Sequence, residues 1–173
     1  AARSEADDVV AVLVAANEEY RNQIPAALFE QYLADLRSLP SKWDEVEVGV
    51  ATFAGRIIGV IVFRREASVL PFGSVPVLAG FRMLAVLPLA RRRGVARGLV
   101  AWAIGRAEGY HLPALAIHSA SFQRGAHALY RSMGFVRAPG LDFDAAMALG
   151  PDRGDASVPI FGFRLDLRMS SVA

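Results

Sequence analysis

Arginines meet small residues at Arg91-Arg92-Arg93-Gly94-Val95-Ala96-Arg97-Gly98. Just before them, Met83-Leu84-Ala85-Val86 reads as the end of a strand, and Pro88 stops it. The small residues then open a helix. A helix start has backbone N–H groups without partners and carries the positive end of the helix dipole. Gly94 and Ala96 leave room for a ligand to reach that backbone, and Arg91, Arg92, Arg93 and Arg97 add cationic donors. The combination suits a pyrophosphate. It is not a P-loop, because no Gly-Lys-Ser/Thr follows. It is not a dinucleotide fingerprint, because the Gly-x-Gly-x-x-Gly spacing is absent. A solvated charge cluster or a nucleic-acid patch are the plainer readings of such a run. No nucleic-acid-binding module is recognisable in the chain.

A second segment is Gln123-Arg124-Gly125-Ala126-His127-Ala128-Leu129-Tyr130-Arg131-Ser132-Met133-Gly134-Phe135. Ala126, Leu129, Tyr130 and Met133 share a helical face, and Gly134 ends the helix. By spacing alone Tyr130 is a packing residue. The three histidines, His111, His118 and His127, lie 7 and 9 residues apart, and there is no cysteine. That spacing is not a zinc pattern. His118 ends a strand, and Glu66 ends another; a structural histidine is the plain reading of His118. His111 and His127 read as packing or surface residues; Asp142 and Asp144 lie in a loop that could reach a substrate, though exposed loop acids are usually only solvated.

The elements that must position these groups follow from periodicity. Ser4-Glu5-Ala6-Asp7 resembles a capping box, and Val9, Val12, Leu13 and Ala16 continue it as a helix. Pro25 fits a first helical position, and Leu28, Phe29, Tyr32, Leu33 and Leu36 mark a second helix. Residues 44–50 alternate as a strand, Ala54-Gly55-Arg56 turns, and 57–63 form a buried strand paired with it. Residues 67–79 form an apolar loop. Strand 81–86, helix 94–109, strand 115–118 and the helix ending at Gly134 follow. A short strand begins at 135, a long loop covers 138–157, and 160–167 is the closing strand. Helices interspersed with hairpins make an α/β chain with a mixed sheet.

Composition narrows the class. The chain has 173 residues, 54% of them hydrophobic, so it is one domain with a real core. No apolar run reaches the ~18 residues of a membrane span. Ala1-Ala2-Arg3-Ser4-Glu5 does not read as a signal peptide. Residues 1–48 hold ten acids and four bases, whereas 49–137 hold two acids and twelve bases. The middle of the chain is therefore expected to meet something negative.

The two segments together resemble the GNAT superfamily of N-acetyltransferases. Arg91-Arg92-Arg93-Gly94-Val95-Ala96 is similar to its Arg/Gln-x-x-Gly-x-Gly/Ala motif. Residues 123–135 are similar to its Asn-x-x-Ala-x-x-Leu-Tyr-x-x-x-Gly-Phe motif, with Gln123 where Asn is usual. The resemblance covers about 4–167 and implies a mixed, mostly antiparallel sheet with a splayed parallel strand pair, flanked by helices. The family's first strand would be absent or very short here. It implies acetyl-CoA as co-substrate, without metal, in the cleft between strands 81–86 and 114–119. Main-chain groups of Leu84, Ala85 and Val86 would hold the pantetheine. Arg91, Arg92, Arg93, Gly94, Val95 and Ala96 would wrap the pyrophosphate, with Gln123 contributing from the second motif. Tyr130 would protonate the leaving thiolate, and His118 or Glu66 would deprotonate the acceptor amine. The acceptor is a small-molecule or peptide amine, with no nucleic-acid or membrane partner. The apolar loops suggest that it has an apolar or aromatic part. A cytoplasmic place and a homodimer through the C-terminal strands accord with the family. A non-catalytic acyl-CoA-binding module would use the same first motif.

Overall fold

The apolar runs of the sequence become the inner strands of one sheet. The computed structural model describes residues 1–67, 78–147 and 155–167, and the side chains of Glu66, Ala67 and Leu78 fall outside that description. The elements are α1 (Ala6–Asn17), α2 (Ala26–Arg37), β1 (Glu47–Phe53), β2 (Arg56–Ala67), β3 (Leu78–Val86), α3 (Val95–Gly109), β4 (Ala114–Ala120), α4 (Arg124–Ser132), β5 (Val136–Arg137), β6 (Phe143–Asp144) and β7 (Pro159–Asp166). Among the described residues the strand order is β1-β2-β3-β4-β7-β5, with β6 also on β7. All pairs are antiparallel except β3 with β4. No strand precedes α1 among the described residues.

The sheet divides two cores. Val60 and Val62 of β2 face Val9, Leu13, Phe29, Leu33 and Leu36 of α1 and α2. Ile61 and Phe63 face the other way, toward Leu99, Val100 and Ala103 of α3. Both faces of β2 are covered, which is why its sequence is continuously apolar rather than alternating.

Several element boundaries differ from the periodicity. The expected strand 44–50 begins only at Glu47, and Leu39–Glu45 is a 3-10 helix. The hairpin register decides this: Phe53 pairs with Arg56 across Ala54 and Gly55, both at positive φ (48° and 75°). The Ser4 capping box does not form. Glu5 accepts from the Ala2 N–H at 2.7 Å instead, and α1 has no side-chain cap. Pro25 stands one position before α2, where its extended backbone lets its carbonyl accept from Phe29 N–H at 2.9 Å. The expected loop 138–157 contains a 3-10 turn, Pro139–Leu141, and β6. Most of the expected loop 67–79, with Leu70, Pro71 and Phe72, lies outside the described residues; its ends belong to β2 and β3.

The parallel pair is the unusual feature. β3 and β4 share a single register pair, Ala79 with Leu115. At the next residue, a Cβ on Gly80 would lie 2.1 Å from the Ala116 carbonyl oxygen. Only a glycine permits that approach, and beyond it the strands part. Gly80→Ala pushes backbone against backbone, which has no cheap relief. It is expected to cost about 3 kcal/mol, the upper end of overpacking. That lowers the melting temperature by about 6–12 °C for a domain of this size. Gly105→Ala is the control: nothing lies within 4 Å of its Cβ in α3. It should stabilise by about 0.5–1 kcal/mol. Equal melting temperatures for the Gly80 variant and the parent would show that the strands do not need this approach.

Candidate active site

Past Ala79, the edge of β3 facing β4 has no ladder partner among the described residues as far as Val86. Seven residues of strand, about 23 Å at ~3.3 Å each, present main-chain groups there. On its other edge β3 pairs with β2, but unevenly. Val60 pairs with Ala85 and Val62 with Arg82, so Met83 and Leu84 together oppose Ile61. This is a β-bulge, and Met83 takes the positive φ (55°) that it demands. The bulge turns the strand at the point where the cleft opens. Of the residues expected to offer main-chain groups, Leu84 is in the bulge, and Ala85 and Val86 lie just beyond it.

β3 ends in a 3-10 turn at Pro88–Ala90, and α3 begins at Val95. Gly94 is the N-cap, at φ 80°, with no side-chain cap. The first helical bond runs from Gly98 N–H to the Gly94 carbonyl (2.9 Å). The earlier N–H groups, through Val95, Ala96 and Arg97, are left for a ligand. A Cβ on Gly94 would meet nothing within 4 Å. The glycine therefore serves its backbone angle and an open approach from outside.

The arginines divide by role. Arg92 (φ 59°) and Arg93 are exposed and carry no ion pair among the described residues. Arg91, expected beside them, is committed elsewhere. Its guanidinium donates to both Glu19 carboxylate oxygens (2.7 and 2.8 Å), to the Ala16 carbonyl (3.2 Å) and to the Val86 carbonyl (3.1 Å). Arg91 thus fastens the end of α1 to the end of β3, and its hydrogen bond keeps the Glu19 carboxyl below its ordinary pKa. Arg97 donates to Ser132 Oγ at 2.6 Å and joins α3 to α4.

The second wall is β4 and α4. Gln123 precedes α4, and its side-chain oxygen accepts from Ser119 Oγ (2.9 Å) and Ala120 N–H (3.0 Å). It locks the strand to the helix. The Tyr130 ring is 4% exposed and packs against Phe81, Phe135 and Phe163, at 5.7–5.9 Å between centroids. Burial raises its pKa well above that of an ordinary phenol, so it holds its proton at neutral pH. Its hydroxyl has no hydrogen-bond partner among the described residues.

His118 lies inside β4, not at its end. Its Nε2 is 2.9 Å from the Leu141 carbonyl, and the Phe143 ring stands edge-on at 5.3 Å. A carbonyl only accepts, so Nε2 carries the proton and Nδ1 the lone pair. Burial lowers the His118 pKa; Leu141 and Asp142 oppose that, and Arg82 adds to it. Glu66, the other expected base, has its side chain outside the described residues. His127 is buried against Phe161 and Phe163, with Nε2 unpartnered, and is packing.

Sequence reading missed the acids' work. Asp142 is exposed but also bonded: it accepts from Arg137 (2.7 and 2.9 Å) and from Gly162 N–H (2.8 Å). Asp144 accepts from Ala146 N–H, Val158 N–H and Ser157 Oγ. Gly80 and Arg82 were also missed. Arg82 stands two residues past Gly80, as His118 stands two past Ala116, and it pairs with Asp35 of α2 at 2.6 Å. No periodicity marks them; the β3–β4 approach does.

The chain matches the family model of the acetyltransferase (GNAT) domain over residues 44–137, more than half its length. It belongs to the GNAT acetyltransferases. Solved structures agree in fold. The PaiA N-acetyltransferase of Thermoplasma acidophilum, in complex with coenzyme A, aligns with a TM-score of 0.68 at 11% identity, over 96% of each chain. The ribosomal-protein-alanine N-acetyltransferase of Brucella melitensis aligns at 0.63 and 17% identity, over 96% of this chain and 97% of that one. An acetyltransferase of Bacillus anthracis str. Ames, in complex with acetyl coenzyme A, aligns at 0.55 and 18% identity. There this chain is covered over 72% and spans 64% of the other, less than two thirds of its length. No curated protein matches the sequence. No helix among the described residues is long and apolar enough to cross a membrane.

The two buried imidazoles set an acid limit on stability. Burial lowers the folded pKa of His118 and His127 from 6.5. Below about 6.5 the unfolded chain binds more protons than the folded one, so stability falls with pH through that window. Urea midpoints should be flat above pH 7 and decline from about pH 6.5 downward. The lowered carboxyls of Glu19 and Asp142 add losses only below about pH 4, where they take protons. A flat midpoint down to pH 5 would mean that both imidazoles are already solvated.

Proposed function

We propose that the chain is an acetyl-CoA-dependent N-acetyltransferase that passes acetyl to an amine by direct attack on the thioester. The observation that carries this is the parallel pair joined only at Ala79 and Leu115, with the uncapped start of α3 at its open end. The residues present fit acetyl-CoA. Main-chain groups of β3 from Leu84 to Val86 that β2 and Arg91 do not hold suit the pantetheine amides, and one N–H there suits the thioester oxygen. The N–H groups after Gly94, with Arg92 and Arg93, suit the pyrophosphate. In this reading Arg91 acts through its main chain and through the shape that its side chain gives the loop. Gln123 acts by fixing the end of β4.

The attacking amine must first lose a proton, and His118 Nδ1 is the base we assign. A neutral imidazole with a lowered pKa stays unprotonated at neutral pH. The amine nitrogen then bonds to the acetyl carbon, gives up its second proton to solvent, and the carbon–sulfur bond breaks. The thiolate takes the Tyr130 hydroxyl proton, and the tyrosine regains one from solvent. Burial makes that phenol a weak acid, so the transfer depends on close placement. Tyr20, Phe122 and Phe143 border this face, which favours an acceptor with an apolar or aromatic part.

Binding is the first test. Acetyl-CoA at about 100 times its dissociation constant should add roughly 2.7 kcal/mol to stability. Gly94→Glu forces a side chain onto a left-handed backbone and sets a negative charge at the helix start. It should abolish the acetyl-CoA-dependent rise in melting temperature, with the fold kept. A parental rise in the variant would place the phosphates elsewhere.

Tyr130→Phe tests the acid. The ring's packing is retained, so acetyl-CoA affinity should hold while turnover on an amine found by panel screening falls about 10²–10⁴-fold. Parental turnover would leave Tyr130 as a packing residue.

A further inference from the structure

We infer that Asp142, together with Gly162, is a positioning residue that fixes the orientation of the His118 imidazole through the Leu141 carbonyl. The inference rests on His118 being the base. His118 and Gly162 are direct partners in the β4–β7 ladder. A Cβ on Gly162 would come within 2.4 Å of the Leu141 Cβ and 2.9 Å of the Ala138 carbonyl oxygen. The missing side chain is therefore the seat on which the turn 138–141 rests. The turn is tied to that same residue from both sides. Gly162 N–H donates to Asp142 Oδ1 at 2.8 Å, and the Gly162 carbonyl accepts from Ala138 N–H at 3.0 Å and from Arg137. Arg137 closes the loop by donating to both Asp142 oxygens.

The outcome of this anchoring is one carbonyl placed 2.9 Å from His118 Nε2. That carbonyl holds the ring proton on Nε2. Phe143, the residue after Asp142, closes the ring's edge. Nδ1 then has no hydrogen-bond partner among the described residues, and His118 is only half-buried. A ring free to flip would offer either nitrogen in either direction. Held in this way, it offers one lone pair in one place, the arrangement that a base requires. Asp142 itself is bonded to Arg137 and Gly162 and touches no reacting atom; it acts only through the turn.

The test reads the ring proton directly. In the full chain labelled with ¹⁵N-histidine, His118 should show a slowly exchanging Nε2–H resonance, assigned by its loss in His118→Gln. Asp142→Asn and Gly162→Ala act on the turn from opposite sides, so one remains if the other does not fold. Either should lose that resonance and lower turnover about 10–100-fold, the usual effect of an outer-shell partner. Acetyl-CoA affinity should be unchanged. The inference is overturned if the ring proton and turnover survive in both variants, or if the proton is lost with turnover intact. Parental turnover in His118→Gln would instead remove the base reading, and leave the ring-proton result of the parent standing.

Discussion

The structure depends on how closely two parallel strands can approach before they part. Gly80 lets β3 come against the Ala116 carbonyl, and one register pair at Ala79 and Leu115 fixes the strands there. Main-chain donors and acceptors that lose a partner must find another or meet solvent. Beyond Gly80 the bulge at Met83 and Leu84 turns β3, and its free edge becomes the wall of a cleft. The helices that follow β3 and β4, α3 and α4, stand at the open end, where Arg97 and Ser132 join them. The free edge and its place beside the helix starts both follow from that one approach.

Charge is disposed with the same economy. The surplus of arginine in the middle of the chain reads as a surface for an outside anion. Much of it is met by the chain's own first third: Arg64 by Glu45, Arg82 by Asp35, Arg91 by Glu19 and Arg106 by Glu47. These pairs are partly exposed and contribute little each to stability. Their effect is to tie α1, α2 and β1 to β2, β3 and α3. Arg92 and Arg93 at the start of α3, and Arg124 and Arg131 on α4, have no ion pair among the described residues. Arg56 and Arg65 of β2 and Arg97 of α3 likewise have none, so the unpaired charge is spread over β2, α3 and α4.

Tyr130 is first a packing residue: its ring completes an aromatic group with Phe81, Phe135 and Phe163, and its hydroxyl has no hydrogen-bond partner among the described residues. The packing orients the hydroxyl, and the same burial keeps the proton on it. Beside it, Gln123 settles where α4 begins, so the tyrosine's height above β4 is fixed by the same joint.

The sequence by itself determined the parts that depend on near neighbours. Helix and strand order, the two motifs at 91–96 and 123–135, and the glycine-led start of α3 were legible because periodicity and turn chemistry act over a few residues. Boundaries at 44–50 were not, because the hairpin across Ala54 and Gly55 sets them. Nor was the role of Arg91, whose partner Glu19 lies 72 residues away. Asp142 reads as a solvated acid until β7 brings Gly162 beside it. Gly80 looks like any strand glycine until β4 arrives against it. Tertiary structure decided these because each depends on a contact between residues far apart in the chain, and residue type records no such distance.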